Sequence, residues 1–175
     1  AAPWDLRSMI RRAGVAAAKH RDYNPAMGAG SAAAGISQVE LADLDATSVL
    51  AAAVSLQTRP GDMIGLTGPL GAGKTAFARA LIAARCRAAG QAPPREVPSP
   101  TFTLAQIYDI GAEVLSHFDL YRLKGPGECR ELGFEDALAV GPVLVEWPDR
   151  LGPFIPADRL DITFVHDGIS RARAA

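Results

Sequence analysis

The chain has 175 residues, enough for one domain with a real core and too few for two full-sized ones. Apolar residues make up 49% and charged residues 21%, with a formal net charge of −1 at pH 7, so the basic excess of an autonomous nucleic-acid binder is missing. No apolar run approaches the ~20 residues that cross a bilayer, and the separated Cys86 and Cys129 read as reduced, small buried hydrophobes.

Residues 1–37 are rich in Ala, Gly and Arg, with Asn24-Pro25 and Gly28-Ala29-Gly30-Ser31 as breakers, and read as a poorly ordered extension. Arg7, Arg11, Arg12 and Lys19 against the single acid Asp5 give its start the charge of a transit peptide, but no secretory apolar region follows. The domain proper is expected over 38–175. Asp45 or Thr47 can cap a helix to about Thr58 that buries Val49, Leu50, Ala53 and Val54. After the Pro60-Gly61-Asp62 turn, Met63 to Thr67 is an apolar run ending at a glycine, which suits a buried strand.

Lys74 to Ala89 has Phe77, Ala80, Leu81 and Ala84 at helical spacing, and Gly90 stops it. Prolines from Pro93 to Pro100 withhold backbone donors and leave a loop. Phe102 to Tyr108 and Val114 to Asp119 read as strands around a turn at Gly111. Pro126 to Leu132 and Phe134 to Ala139 read as short helices broken at Gly133. Pro142 to Glu146 is a buried strand, and Arg159 to Val165 alternates as the last one. Strands and helices mixed in this way imply an α/β layer fold.

Gly68-Pro69-Leu70-Gly71-Ala72-Gly73-Lys74-Thr75 matches G-x-x-x-x-G-K-[ST] between a strand and a helix, the context that gives this pattern its meaning. The glycines let the backbone curl until successive N–H groups point at phosphate oxygens, and the helix that follows offers its unpaired amides to the same anion. Lys74 adds a point charge at the β- and γ-phosphates, and the Thr75 hydroxyl is a Mg²⁺ ligand. The expected nucleotide-contacting set is Gly68, Leu70, Gly71, Ala72, Gly73, Lys74, Thr75 and Ala76.

Such a site needs further oxygen ligands and a positioned water. Asp119 and Glu146 stand where strands should end. In open α/β sheets ligands bind beyond the carboxyl ends of parallel strands, so Glu146, after an apolar run, is the purer candidate. Asp119 reads equally as a functional acid or as a mere cap or partner of Arg122 or Arg150. By pattern alone, Thr101 is a loop hydroxyl, His117 a packed histidine and Trp147 a core or interface residue.

Taken together, several blocks resemble the TsaE (YjeE) family of small bacterial ATPases in tRNA threonylcarbamoyladenosine biosynthesis. They are the Gly68–Thr75 loop, Val97-Pro98-Ser99-Pro100-Thr101-Phe102-Thr103-Leu104, His117-Phe118-Asp119-Leu120-Tyr121-Arg122-Leu123, Glu131-Leu132-Gly133 and Val145-Glu146-Trp147-Pro148. The resemblance runs from about Val39 to His166. It implies a three-layer P-loop NTPase fold with a mixed central sheet, ATP and Mg²⁺ as cofactors, and a cytoplasmic protein. It also implies weak hydrolysis that matters in complex with TsaD and TsaB, which would handle the tRNA. It assigns catalytic roles to Lys74, Asp119 and Glu146 and metal binding to Thr75, Asp119 and Glu146. Thr101 falls in a switch-like loop, and Arg171 and the segment around Leu44 to Thr47 flank the adenine.

Pro69 departs from the family's usual Asp or Asn, residues 1–37 have no counterpart, and the chain stops short of the family's final strand and helix. A small-molecule or nucleotide kinase is the main rival, but Arg122 and Arg130 form no evident lid cluster. A GTPase would carry an Asn-Lys-x-Asp block, which is missing. A module gated by nucleotide binding alone is the remaining rival.

Overall fold

The computed structural model describes residues 36–165 and 169–174, with the backbone alone for 36–38 and 169–174. Most of the expected extension therefore lies outside the described residues. Its last two positions do not: Ile36 and Ser37 open strand β1 (Ile36–Glu40).

Helix α1 (Leu44–Ser55) starts earlier than its sequence suggests, because Asp43 is the cap. The Asp43 carboxylate accepts the Ala46 amide at 2.7 Å, satisfying an amide that the first turn leaves without a partner. The buried face is Thr47, Leu50, Ala51 and Val54, while Val49 turns outward. Strand β2 (Met63–Thr67) and helix α2 (Lys74–Ala88) fall where hydrophobic pattern and breakers put them. No regular element lies between α2 and β3 (Ala105–Ile110). β3 begins later than expected because Leu104, at φ 64°, closes a turn onto the Pro100 carbonyl.

Strand β4 (Glu113–Asp119) follows the Gly111 turn. Helices α3 (Gly127–Glu131) and α4 (Phe134–Val140) are broken at Gly133, and β5 (Val143–Glu146) follows. A 3₁₀ segment (Pro148–Phe154) leads on toward β6 (Leu160–Phe164). β6 is not the last strand. β7 (Ile169–Ala174) pairs antiparallel with both β6 and β1, so two strands beyond the expected set complete one side of the sheet.

The sheet order is β1-β7-β6-β2-β5-β4-β3. β4, β5, β2 and β6 run parallel side by side, flanked by antiparallel pairings, so the sheet is mixed. Side chains alternate across it. Ile64, Leu66, Leu115 and Leu144 pack with α1 and α2, while Met63, Phe118, Val143 and Val145 pack with α3, α4 and the 3₁₀ segment. The result is three layers, each sheet face sealed by helices as a parallel strand core requires. Cys86 and Cys129 are free and buried, one in each half of that core.

Arg85 of α2 ties this architecture together. It donates to the carbonyls of Ser55 and Thr58 at 2.5 and 2.8 Å and forms an ion pair with Glu113 at 2.6 Å. Arg85→Met keeps the aliphatic stem but orphans these acceptors. It is expected to lower stability by about 2–3 kcal/mol, read as a lower urea midpoint.

Candidate functional site

The parallel strands end together. Leu66 of β2, Glu146 of β5 and Asp119 of β4 lie side by side in register, and the phosphate-loop sequence leaves β2 from that edge. Strand alternation then decides which acids meet which helix. Leu144 packs on the α2 side of the sheet, so Glu146, two residues on, projects to that side as well, beside the first turn of α2. Thr75 donates to both Glu146 oxygens, at 2.9 and 3.0 Å.

The loop conformation depends on glycine at two positions above all. Gly73 caps α2 at φ 106°, with no side-chain cap, so the amides of the first turn are left for an anion. Gly68 sits at φ 141°, and a Cβ there would lie 2.5 Å from the Phe164 carbonyl oxygen. Gly68→Ala combines strain with a clash against backbone and is expected to destabilise the domain by about 2–4 kcal/mol in urea unfolding.

Lys74 is buried in the loop it serves. Its ammonium donates to the carbonyls of Gly68 and Pro69 at 2.7 and 2.8 Å and sits 4.2 Å from the Trp147 ring centroid. Burial pulls its pKa below the ordinary value of 10.5, and the negative charges of Glu146 and Asp119 partly oppose this. Trp147 holds its place by an αL backbone, φ 60°, and stacks at a tilt on Tyr121 with centroids 5.0 Å apart.

Asp119 gathers the proline-braced loop. Its Oδ2 accepts from Thr101 at 2.6 Å and Ser99 at 3.0 Å, and its Oδ1 accepts the Tyr121 amide at 3.1 Å. Its own amide donates to Leu104, whose positive φ lets the loop fold back over the strand end. Asp119 is therefore more than a cap, and it makes no recorded pairing with Arg122, whose guanidinium lies over the Phe102 ring instead.

A cleft of about 260 Å³ opens over these groups. Of the expected residues, Leu70, Gly71, Gly73, Lys74, Thr75, Ala76, Thr101, Asp119 and Glu146 line it. Gly68 and Ala72 belong to the same loop without lining the cleft, and Ala72 packs on the core. None of residues 44–47 lines it. Arg171 has its backbone on β7 opposite Thr163, and the expected role of its side chain falls outside the described residues. Neither Arg122 nor Arg130 lines the cleft; Arg130 lies over Phe154.

Four further residues join the site: Ser99, Tyr121, Trp147 and His117. His117 is fully buried with Nε2 3.1 Å from Glu146 Oε1. The signal for it was parity, since His117 and Asp119 share one face of β4 and the diagonal neighbour on β5 is Glu146.

The donor set around the cleft is the Thr75 hydroxyl and the carboxylates of Asp119 and Glu146. Hard oxygen ligands in that number suit Mg²⁺, which keeps waters and shares phosphate oxygens rather than occupying a protein cage. Among the described residues no cluster of three or more His, Cys, Asp or Glu could hold a metal unaided, and no helix is long and apolar enough to cross a membrane.

Comparison with known proteins agrees with this geometry. A family model described as Threonylcarbamoyl adenosine biosynthesis protein TsaE matches residues 41–174. A Bacillus subtilis protein named tRNA threonylcarbamoyladenosine biosynthesis protein TsaE is 35% identical over 70% of this chain and 73% of its own length. A Mycobacterium leprae protein of the same name is 33% identical over 74% of this chain and 82% of its own. The Rickettsia felis protein of that name is 43% identical over 59% of this chain, a match spanning 57% of that relative's length. The crystal structure of Bacillus subtilis YdiB superposes with a TM-score of 0.63 at 26% identity, covering 82% of this chain and 87% of that one. A P-loop between β2 and α2, two strand-end acids beside it and a family match across nearly the whole described domain lead to one assignment: the chain belongs to the TsaE family.

Proposed function

We propose that this chain is an ATP-binding and ATP-hydrolysing component of the machinery that makes N6-threonylcarbamoyladenosine in tRNA, acting in the cytoplasm in complex with TsaD and TsaB. The observation that carries the chemical part is the convergence of the Lys74 ammonium, the Thr75 hydroxyl and the Glu146 and Asp119 carboxylates on one cleft at the mouth of a glycine loop. The biological part rests on family membership and on the names of the relatives. A net charge of −1 fits a protein that reaches tRNA through its partners.

Bound Mg²⁺–ATP would supply the electrophilic γ-phosphorus and the cation that offsets its charge. The chain's own residues then divide the work. Amides of the loop and of the first α2 turn grip the phosphates, and Lys74 turns its ammonium from carbonyl acceptors to phosphate oxygens. Thr75 would offer an oxygen lone pair to the cation while its O–H goes on donating to Glu146. Asp119 would hold the cation through its water shell and, through Thr101, orders the proline-braced loop beside the cleft. Glu146 orients the attacking water and accepts its proton.

ATP turnover by this chain with and without TsaB–TsaD is the direct test. Slow hydrolysis alone and faster hydrolysis with the pair is the expected result. Absence of both stimulation and association would remove the proposal. Competition binding should favour ATP over GTP.

A further inference from the structure

We propose that His117 is the positioning residue for Glu146: its Nε2–H donates to Glu146 Oε1 and fixes the carboxylate against Thr75. This inference rests on the role given to Glu146 above. The geometry has three parts. His117 and Glu146 are both almost wholly removed from solvent, at 0% and 3% side-chain exposure, and lie 3.1 Å apart. Thr75 donates to the same carboxylate from the opposite partner, the first turn of α2. On the far side of the ring, Nδ1 is buried and has no hydrogen-bond partner among the described residues.

The orphaned Nδ1 decides the tautomer. A proton on Nδ1 would leave a buried donor without an acceptor and would turn the lone pair of Nε2 toward a carboxylate oxygen, two penalties at once. The Nε2–H form avoids both, its bare Nδ1 being the milder deficit, and it gives Glu146 a directed donor. With Thr75 supplying the other, the carboxylate plane is held from two elements, β4 and α2, rather than swinging about its own side-chain torsions. A carboxylate that must orient a water needs this restraint, since second-sphere partners of this kind hold ligands and bases in productive orientation.

Two measurements test it. Nitrogen chemical shifts of the imidazole in the nucleotide-free wild-type protein should report a proton on Nε2; a ring protonated on Nδ1 alone would overturn the proposal. Turnover with TsaB–TsaD, and nucleotide affinity from Trp147 fluorescence, should then be compared for His117→Leu and His117→Gln. The leucine variant is expected to lose about 10–100-fold in kcat with affinity within about twofold, whereas glutamine, whose amide can stand in for Nε2–H, should recover most of the loss. Unchanged kcat in the leucine variant, or equal loss in both variants, would overturn it. Should the leucine variant fail to fold, the wild-type tautomer and the glutamine variant's kcat remain decisive, full loss in the latter being contrary. If Glu146→Ala turns over normally, the functional reading itself has failed; if it is inactive while His117→Leu is not, only the positioning role has.

Discussion

Glu146→Ala is expected to bind ATP nearly as well as the wild type and to lose turnover by at least about a hundredfold, the usual scale for removing a positioned base. Glu146 ends β5 at 2% exposure and already accepts from Thr75 and His117. The substitution removes the base and the group that orients the Thr75 hydroxyl, yet leaves the glycine loop, the α2 amides and Lys74 intact. Affinity should therefore hold within about threefold in calorimetry, because those groups dominate phosphate binding. Glu146→Gln keeps the acceptor and the volume while removing the charge, and should be nearly as slow. Normal turnover in the alanine variant would remove Glu146 from the mechanism. A full set of modified tRNAs in cells carrying an inactive Glu146→Ala protein would instead show hydrolysis to be dispensable and favour a module gated by binding.

Lys74→Ala is expected to act on binding. Among the described residues the ammonium is the one side-chain cation lining the cleft, and its loss should weaken ATP affinity by about 2 kcal/mol, roughly thirtyfold, the scale of a charge-assisted hydrogen bond. It also leaves the Gly68 and Pro69 carbonyls without their donor, so the loop loses its internal brace. Unchanged affinity and rate would contradict the assignment. The pH dependence has a definite sign. Burial disfavours the charged form of Lys74 and lowers its pKa below 10.5, so in alkaline solution wild-type affinity should begin to fall at a lower pH than an ordinary lysine would set. Lys74→Ala should lack that decline.

Local chemistry made much of this molecule legible. β2, α2, β4 and β5 were readable because apolar patterns are bounded by residues with strong conformational demands: Gly68 after β2, Gly90 after α2, Gly111 before β4 and Pro142 before β5. α1 was readable as an element but not in its detail. Asp43, Asp45 and Thr47 are all good caps, and only the bond to the Ala46 amide distinguishes them. β1 and β7 escaped because β1 is the edge strand and pairs only with β7, from the far end of the chain. Neither ISQVE nor ISRARA carries an apolar run in the sequence, and pairing over a separation of more than a hundred residues leaves no local trace.

The amino-acid sequence by itself determined the phosphate loop, the order of strands and helices around it, and the two acids at strand ends. These depend on backbone conformations and burial patterns that nearby residues impose. Only the tertiary structure decided which side chains touch. Sheet register put Asp119 beside Glu146 and set His117 on the diagonal. The positive φ of Leu104 and Trp147 turned a loop hydroxyl and an indole into the cleft. Hydrogen bonds between residues 71 or 29 positions apart, Thr75–Glu146 and His117–Glu146, exist because α2 packs on the sheet and β4 pairs with β5, and those placements are properties of the whole fold.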